Sequence, residues 1–330
     1  MKKKQNLKIG IVMDSIKFIK IEKDSSFAIL LEAQARQHEL YYIEINDLYL
    51  RKGQSYATAK IIEVQKKEKN YFNIIKKKDM SLNELDVILM RKDPPFNTEF
   101  IYATYILERA EEKGLLVINK PKSLRDCNEK IFISWFSKFT ADTLVTRQLL
   151  KIYDFWKEKK DIIVKPLDEM GGKNIFRIKK NDPNFSVIIE TLTQYENKYC
   201  MVQTYLPEVK NGDKRILIIN GKPIPWCLAR IPKCGETRAN LAAGGIGKVQ
   251  KLSNEDWEIA NYLGPVLKKK GLILVGLDII GNKLTEINVT SPTCICEIES
   301  KKNISITGDL INYIEKKIYK KRLSNDSNSF

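Results

Sequence analysis

Three residues of this chain combine types and spacing that could do chemistry together: Asp278, Glu286 and Asn288. They lie in Leu277-Asp278-Ile279-Ile280-Gly281-Asn282-Lys283-Leu284-Thr285-Glu286-Ile287-Asn288-Val289-Thr290-Ser291-Pro292, two apolar runs about a Gly-Asn turn signal, the pattern of a β-hairpin. Strand side chains alternate faces, so Glu286 and Asn288 share one face, with Thr285, Ile287 and Val289 on the other. A loop over Gly281–Lys283 predicts Ile280 opposite Leu284 and Asp278 opposite Glu286. Two carboxylates and an amide oxygen on one patch are the donors a magnesium ion takes when phosphates complete its shell. An ordinary exposed strand face would carry the same letters.

Further positions invite anion chemistry. Asp86-Val87-Ile88-Leu89-Met90 reads as a buried strand running into Arg91-Lys92-Asp93-Pro94-Pro95, which puts Arg91 at a strand's carboxyl end, where open α/β sheets keep their ligands. A surface salt bridge is the other reading of Arg91. Lys165 stands inside the apolar run Asp161-Ile162-Ile163-Val164-Lys165-Pro166-Leu167, and a lysine there is rarely buried unless paired or bound to an anion. Gly171-Gly172 follows, a turn whose backbone N–H groups can approach phosphate closely, or the tip of a plain hairpin.

Other chemistries are excluded or left without support. The single histidine, His38, argues against a Ser-His-Asp triad or a histidine-rich metal centre. The six cysteines form no CxxC pair, and Cys294-Ile295-Cys296 has no second pair to complete a zinc site, so free thiols in a reducing compartment are expected. No G-x-G-x-x-G follows the first strand, and no Walker A loop occurs. The 43% hydrophobic and 30% charged composition is that of a soluble globular chain of two or three domains. No apolar run approaches a membrane span, and the run after Lys2-Lys3-Lys4 ends at Asp14, too soon for a signal peptide. A cytoplasmic protein without membrane association is expected. The net charge of +16 comes from lysine clusters scattered along an Ile- and Asn-rich chain without interleaved aromatics. That pattern favours compositional bias over nucleic-acid binding.

The elements that must position these residues are legible in outline. A strand at Lys8–Met13, a helix from Phe27 to about Gln37 capped by Ser25-Ser26, and a strand at Leu40–Ile45 give β-α-β, hence an α/β parallel sheet covered by helices. Residues 47–80 read as a lysine-rich, partly stranded excursion. A helix at Thr98–Glu112 and a strand at Leu115–Ile118 complete an N-terminal domain, 1–122. In the next portion, 123–200, Asn128-Glu129-Lys130 is placed in a helix, and Ile175–Ile178 returns beside the Lys165 strand. In 201–330, Tyr199–Pro207 reads as a strand breaking at proline, and Asp213-Lys214-Arg215 opens a hairpin returning through Trp226–Arg230. The Gly/Ala-rich stretch 231–248 is a functional lid or disordered. A helix near 256–270 precedes the acidic hairpin, and a basic amphipathic helix from about Thr307 frays over Ser324–Phe330.

Asn-Glu-Lys130, Val-Lys165-Pro, Gly171-Gly172, Gln203-x-Tyr205-Leu206-Pro, Asp213-x-Arg215, Asp278 and Glu286-x-Asn288 form an ordered set that resembles the ATP-grasp fold. More narrowly, the chain is similar to bacterial glutathione synthetases over roughly 5–315. The segments carrying that likeness are Arg91–Phe96, Ser123–Lys130, Glu236-Thr237-Arg238, Asn240-Leu241-Ala242-Ala243-Gly244-Gly245 and Thr285–Thr293. The resemblance implies ATP-dependent joining of γ-glutamylcysteine to glycine through an acyl phosphate, with release of ADP and phosphate. It implies that Lys130 and Lys165, with Gly171 and Gly172, hold ATP phosphates, that backbone groups around Gln203, Tyr205 and Leu206 hold adenine, and that Asp213 holds the ribose. Asp278, Glu286 and Asn288 would bind Mg2+, with Mn2+ as a substitute. Arg91, Arg215 and Arg230 would face acyl phosphate and substrate carboxylates, with Arg238 closing over them in the lid. A homotetramer is implied as well. Glu169, Ile246 and Cys296 depart from the resemblance, which leads one to expect glycine, arginine and arginine there. A different ATP-grasp carboxylate–amine ligase, a catalytically weakened one and, more remotely, a basic nucleic-acid-binding protein are the other readings.

Overall fold

The computed structural model describes residues 6–236, 238–241 and 244–327, with side chains through Ser324. Thr237, Ala242 and Ala243 of the expected lid, Lys2–Lys4 and the end of the expected frayed tail lie outside the described residues. The first portion contains β1 (Lys8–Val12), α1 (Ser25–Ala35), β2 (Glu39–Ile43), β3 (Leu48–Arg51), β4 (Gln54–Val64), β5 (Phe72–Ser81), β6 (Val87–Met90), α2 (Thr98–Glu112), β7 (Leu116–Ile118) and α3 (Pro121–Asp126). Its seven-stranded sheet runs β3-β4-β2-β1-β6-β7, with β5 on the far edge of β4. The β1, β2, β6 and β7 pairings are parallel, as the β-α-β reading requires. The excursion at 47–80 is the antiparallel extension of that sheet, and Lys76–Lys78 guard its edge strand against pairing with other chains.

Two local expectations are corrected. Asp24, not Ser25 or Ser26, caps α1, its carboxylate accepting from the Phe27 N–H at 2.7 Å. The serine hydroxyls serve tertiary contacts instead: Ser25 accepts from the Ile295 N–H, and Ser26 accepts from Arg91. Asn128-Glu129-Lys130 is not helical. It is an irregular junction ahead of a 3₁₀ stretch, Ile131–Phe139, because Asn128 Oδ1 takes the N–H groups of Lys130 and Ile131 and turns the chain.

The second portion holds β8 (Thr143–Thr146), α4 (Leu149–Lys159), β9 (Ile162–Pro166), β10 (Phe176–Ile178), α5 (Phe185–Thr193) and β11 (Cys200–Thr204), an antiparallel sheet ordered β10-β9-β11-β8. It has a separate apolar core, including Ile152, Ile162, Val164, Phe185, Ile189 and Val202. The expected division at 200 falls where β11 begins, and β11 is an interior strand of this sheet, so the second sheet extends to 204.

The third portion contains β12 (Asp213–Ile219), β13 (Lys222–Ile231), β14 (Ile246–Lys251), α6 (Asn254–Lys269), β15 (Leu274–Ile280), β16 (Lys283–Asn288), α7 (Ile295–Glu299) and α8 (Ile306–Ser327). Its antiparallel sheet is ordered β14-β13-β12-β15-β16. The last three residues of the expected lid segment, 246–248, are therefore strand. The chain's final helix returns to the first portion: Ile306, Leu310, Ile311 and Ile314 share a core with Ile9, Ile11, Phe27 and Leu30. Asn119 clasps the two portions, its amide bonding the Leu274 and Val289 carbonyls and the Ile273 and Leu274 N–H groups at 2.7–3.0 Å. Among the described residues no helix is long and apolar enough to cross a membrane.

Candidate active site

The acidic hairpin reaches its expected pairing by a different register. Gly281-Asn282 makes a two-residue turn, so Ile280 faces Lys283 rather than Leu284. A β-bulge then inserts Thr285, whose hydroxyl donates to the Asp278 carbonyl at 3.1 Å, and the slip is cancelled so that Asp278 lies opposite Glu286. Both carboxylates therefore stand on one face. Lys165 comes in from β9 with its Nζ 3.7 Å from Glu286 Oε1, and Lys130 lies 3.8 Å from the same oxygen.

Behind this face is a buried charge cluster. Asp278 receives Arg215 at 2.5 and 2.9 Å and Arg230 at 2.9 Å, and Arg230 also bonds Asp213 at 2.6 Å. The β12 register makes this possible, since Arg215 pairs directly with Asp278, and Asp213 with Arg230. Burial alone would raise the pKa of Asp278, but the two guanidiniums outweigh it and hold the carboxyl well below its usual range. Asp213, with one guanidinium and a second acid nearby, is pushed up to about 6 by burial. Burial lowers the pKa of Lys165, opposed by Glu286 and assisted by Lys130.

Two adjoining cavities share Glu286. One, of about 180 Å³, is lined by Lys130, Gly171, Gly172, Arg215, Arg230, Glu286 and Asn288. The other is lined by Lys165, Gln203, Tyr205, Leu206, Asp213, Arg238, Asp278 and Glu286, with Ile163, Ile175, Val209 and Ile280 as apolar walls. At the rim of the second, the Thr204 and Tyr205 N–H groups are taken by the Asp142 and Asp161 carbonyls. The backbone donor left there is that of Leu206, which bonds nothing among the described residues. The Gly171-Gly172 turn requires glycine: both residues have positive φ (68° and 79°), and a Cβ on Gly172 would come 2.6 Å from Asn240 Oδ1 of the lid segment. Arg238 bonds Glu236 at 3.3 Å from the same segment.

Arg91 stands apart from the other fourteen expected residues, lining a third cavity that shares Asp93, Ser291 and Thr293 with the first. It is buried, donating to Ser26 at 3.0 Å and to the Pro292 carbonyl at 2.9 Å, while its Nη1 has no partner. That nitrogen is itself buried and unpaired among the described residues, in a residue that lines the third cavity. The surface salt-bridge reading of Arg91 is therefore displaced. The three departures are accommodated. Glu169 directs its carboxylate to Lys173 and Asn174 while its carbonyl accepts from Lys130 at 2.6 Å, Ile246 is exposed at the start of β14, and the Cys296 thiol donates to the Asp24 carbonyl. Sequence reasoning gave no role to Glu129, Asn119 or Asn240: the side-chain bonds of Glu129 and Asn119 reach residues far away in the chain, and the Asn240 side chain lies beside Gly172 of another portion.

On the hairpin, Glu286 and Asn288 offer oxygens that a divalent cation could take, whereas both oxygens of the buried Asp278 accept from Arg215 and Arg230 and would have to be shared with it. Glu286 opens to both cavities with Asp278 on one side and Asn288 on the other. Asn288 donates its amide N–H to the Gly276 carbonyl at 3.3 Å, which leaves its oxygen end available. Among the described residues no group of three His, Cys, Asp or Glu side chains converges.

Comparison with known proteins agrees with this geometry. The family model described as prokaryotic glutathione synthetase, N-terminal domain, matches residues 7–125, and that of the prokaryotic glutathione synthetase ATP-grasp domain matches residues 129–303. The chain is 82% identical over 320 residues to a glutathione synthetase of Buchnera aphidicola subsp. Schizaphis graminum, covering 97% of this chain and 100% of that one. It is 60% identical over 312 residues to the glutathione synthetase of Escherichia coli strain K12, covering 94% and 99%. Among solved structures, D-cycloserine synthetase DcsG superposes with a TM-score of 0.64 at 13% identity, covering 96% of this chain and 99% of the other. D-alanyl-alanine synthetase A from Vibrio cholerae O1 superposes with 0.58 at 14%, covering 95% and 99%. At those identities the likeness is one of fold.

Proposed function

Because the chain belongs to the prokaryotic glutathione synthetase family and is an ATP-dependent ligase that forms glutathione, we propose how its residues divide that work. The observation that carries the assignment is Glu286, shared by two cavities and approached by both Lys130 and Lys165. Adenine occupies the apolar end of the second cavity, against the end of β11, with Asp213 at the ribose. Lys165, Lys130 and the Gly171-Gly172 backbone draw the phosphates towards Glu286. Asp278, Glu286 and Asn288 would hold Mg2+, or Mn2+ in its place, which would supply charge neutralisation at the phosphates.

The carboxylate of γ-glutamylcysteine enters from the first cavity and attacks the γ-phosphorus, and ADP departs as the acyl phosphate forms. The glycine amine then attacks the acyl carbon, phosphate leaves with the carbon–oxygen bond electrons, and the ammonium proton is lost to solvent or phosphate. Neither step needs a histidine. Arg215 and Arg230 stay charged in their buried setting and stabilise the oxyanions, which is mostly positioning and charge complementarity. Arg91, with its open Nη1, receives a substrate carboxylate in the third cavity. The segment around Arg238 and Asn240 covers the site and keeps water from the acyl phosphate. The protein works in the cytoplasm as a homotetramer, organised as three portions whose second reaches to the end of β11 at 204.

Steady-state ADP release by the purified protein tests the reading. Turnover requiring both γ-glutamylcysteine and glycine is expected. Turnover with another acid or amine in preference would reassign the substrates.

A further inference from the structure

We propose that Glu129 is a positioning residue that sets the metal-bearing strand against the phosphate lysine. This inference rests on Glu286 and Asn288 holding the divalent cation. The strand that carries them, β16, is the edge of its sheet. One side of an edge strand presents N–H groups with no neighbouring strand to accept them. Here Glu129 stands in for that neighbour. Its carbonyl accepts from the Ile287 N–H at 2.9 Å, and its Oε1 accepts from the Val289 N–H at 2.8 Å, the Thr290 N–H at 2.9 Å and the Thr290 hydroxyl at 2.8 Å.

The bonded N–H groups of Ile287 and Val289 alternate with Glu286 and Asn288, so the contacts fix both the lateral position and the rotation of the segment bearing those side chains. The residue after Glu129 is Lys130, whose Nζ donates to the Glu169 carbonyl and lies 3.8 Å from Glu286. The residue before it, Asn128, donates to the Leu167 carbonyl at 3.0 Å. One tripeptide thus ties the hairpin to the turn that follows Lys165, in a site where small displacements are costly. Glu129 has no salt bridge among the described residues, and its Oε1 spends its acceptor capacity on three donors, as a strut would. A glutamine could do the same, because the oxygen rather than the charge makes the bonds.

The test compares the full-length parent with Glu129→Ala, Glu129→Asp and Glu129→Gln. Hydrogen exchange in the ligand-free protein reads the strand directly, calorimetric titration with Mg-ADP reads the site, and kinetics read the consequence. Glu129→Ala should speed exchange at residues 287–290, weaken Mg-ADP binding at least tenfold and raise the half-saturating Mg2+ concentration at least tenfold, with KM for glycine changed less than twofold. Glu129→Asp, one methylene short of its donors, should shift the same constants in the same direction, and it serves if the alanine variant does not fold. Glu129→Gln should bring exchange and affinity back within threefold of the parent. Unchanged Mg-ADP binding in both shortened variants overturns the proposal, as does a glutamine variant as damaged as the alanine one. Glu286→Gln, measured alongside, separates the two levels. If it leaves the Mg2+ dependence intact, the metal assignment itself fails, whatever Glu129 does.

Discussion

Replacing Lys165 by methionine separates what the lysine does for the fold from what it does for the nucleotide. In the ligand-free protein its Nζ lies 3.7 Å from Glu286 and donates to the Thr285 carbonyl at 3.2 Å. At an effective dielectric of about 20, a pair at that distance attracts by about 4 kcal/mol. Burying the ammonium costs about as much, and Lys130 competes for the same carboxylate oxygen. Methionine fills similar space without charge, and Glu286 keeps Lys130. The net change in stability is therefore within about 1 kcal/mol, or a melting shift of roughly 2–4 °C in either direction. Bound phosphate changes the balance, because the lysine then gains an unshared anionic acceptor. Losing a charged hydrogen bond worth roughly 1.5–3 kcal/mol should weaken ATP binding by about 10- to 150-fold. Thermal unfolding without ligand and calorimetric titration with ATP measure the two halves. An affinity within threefold of the parent would refute the phosphate role, and a melting point more than about 8 °C lower would refute the near-cancellation.

Asp278→Asn should instead damage the fold. It leaves two buried guanidiniums facing an amide, with only Asp213 left to compensate, and breaking such a cluster costs roughly 3–5 kcal/mol. A melting point within about 2 °C of the parent would contradict that. The pH dependence separates the two aspartates. Asp213, raised to about 6 against an unfolded value near 3.9, keeps its proton in the native state between those values, so its contribution is full below about pH 4 and lost as pH rises through 6. Asp278, held low, contributes above about pH 4 and loses that contribution as pH falls towards its native pKa. Urea unfolding from pH 4.5 to 7 should show a falling component that Asp213→Asn removes, on the order of 2 kcal/mol. In the same range the parent's KM for ATP should rise below pH 6, and a flat profile would remove Asp213 from the ribose site.

The sequence by itself determined what is local or periodic. Alternating and continuous apolar runs located β1, β6, β9, β12 and the acidic hairpin, and the helix expected at Thr98–Glu112 is α2, which the structure shows capped by Asn97. It also placed Asp278 opposite Glu286, although by a loop length that the structure replaces with a tight turn and a bulge. Those two errors cancel because the buried apolar face of the hairpin, Leu277, Ile279, Leu284 and Ile287, tolerates only one set of facings. The tertiary structure alone decided what those elements meet. That Lys130 and Lys165 share one carboxylate oxygen, that Arg215 and Arg230 converge on Asp278, and that α8 returns to the first sheet all depend on contacts between residues far apart in the chain. No local pattern encodes such distances. The Asn-Glu-Lys junction shows the limit most clearly: read locally it is helix, yet its side chains bond carbonyls and N–H groups up to about 160 residues away, and those bonds outweigh a weak local preference.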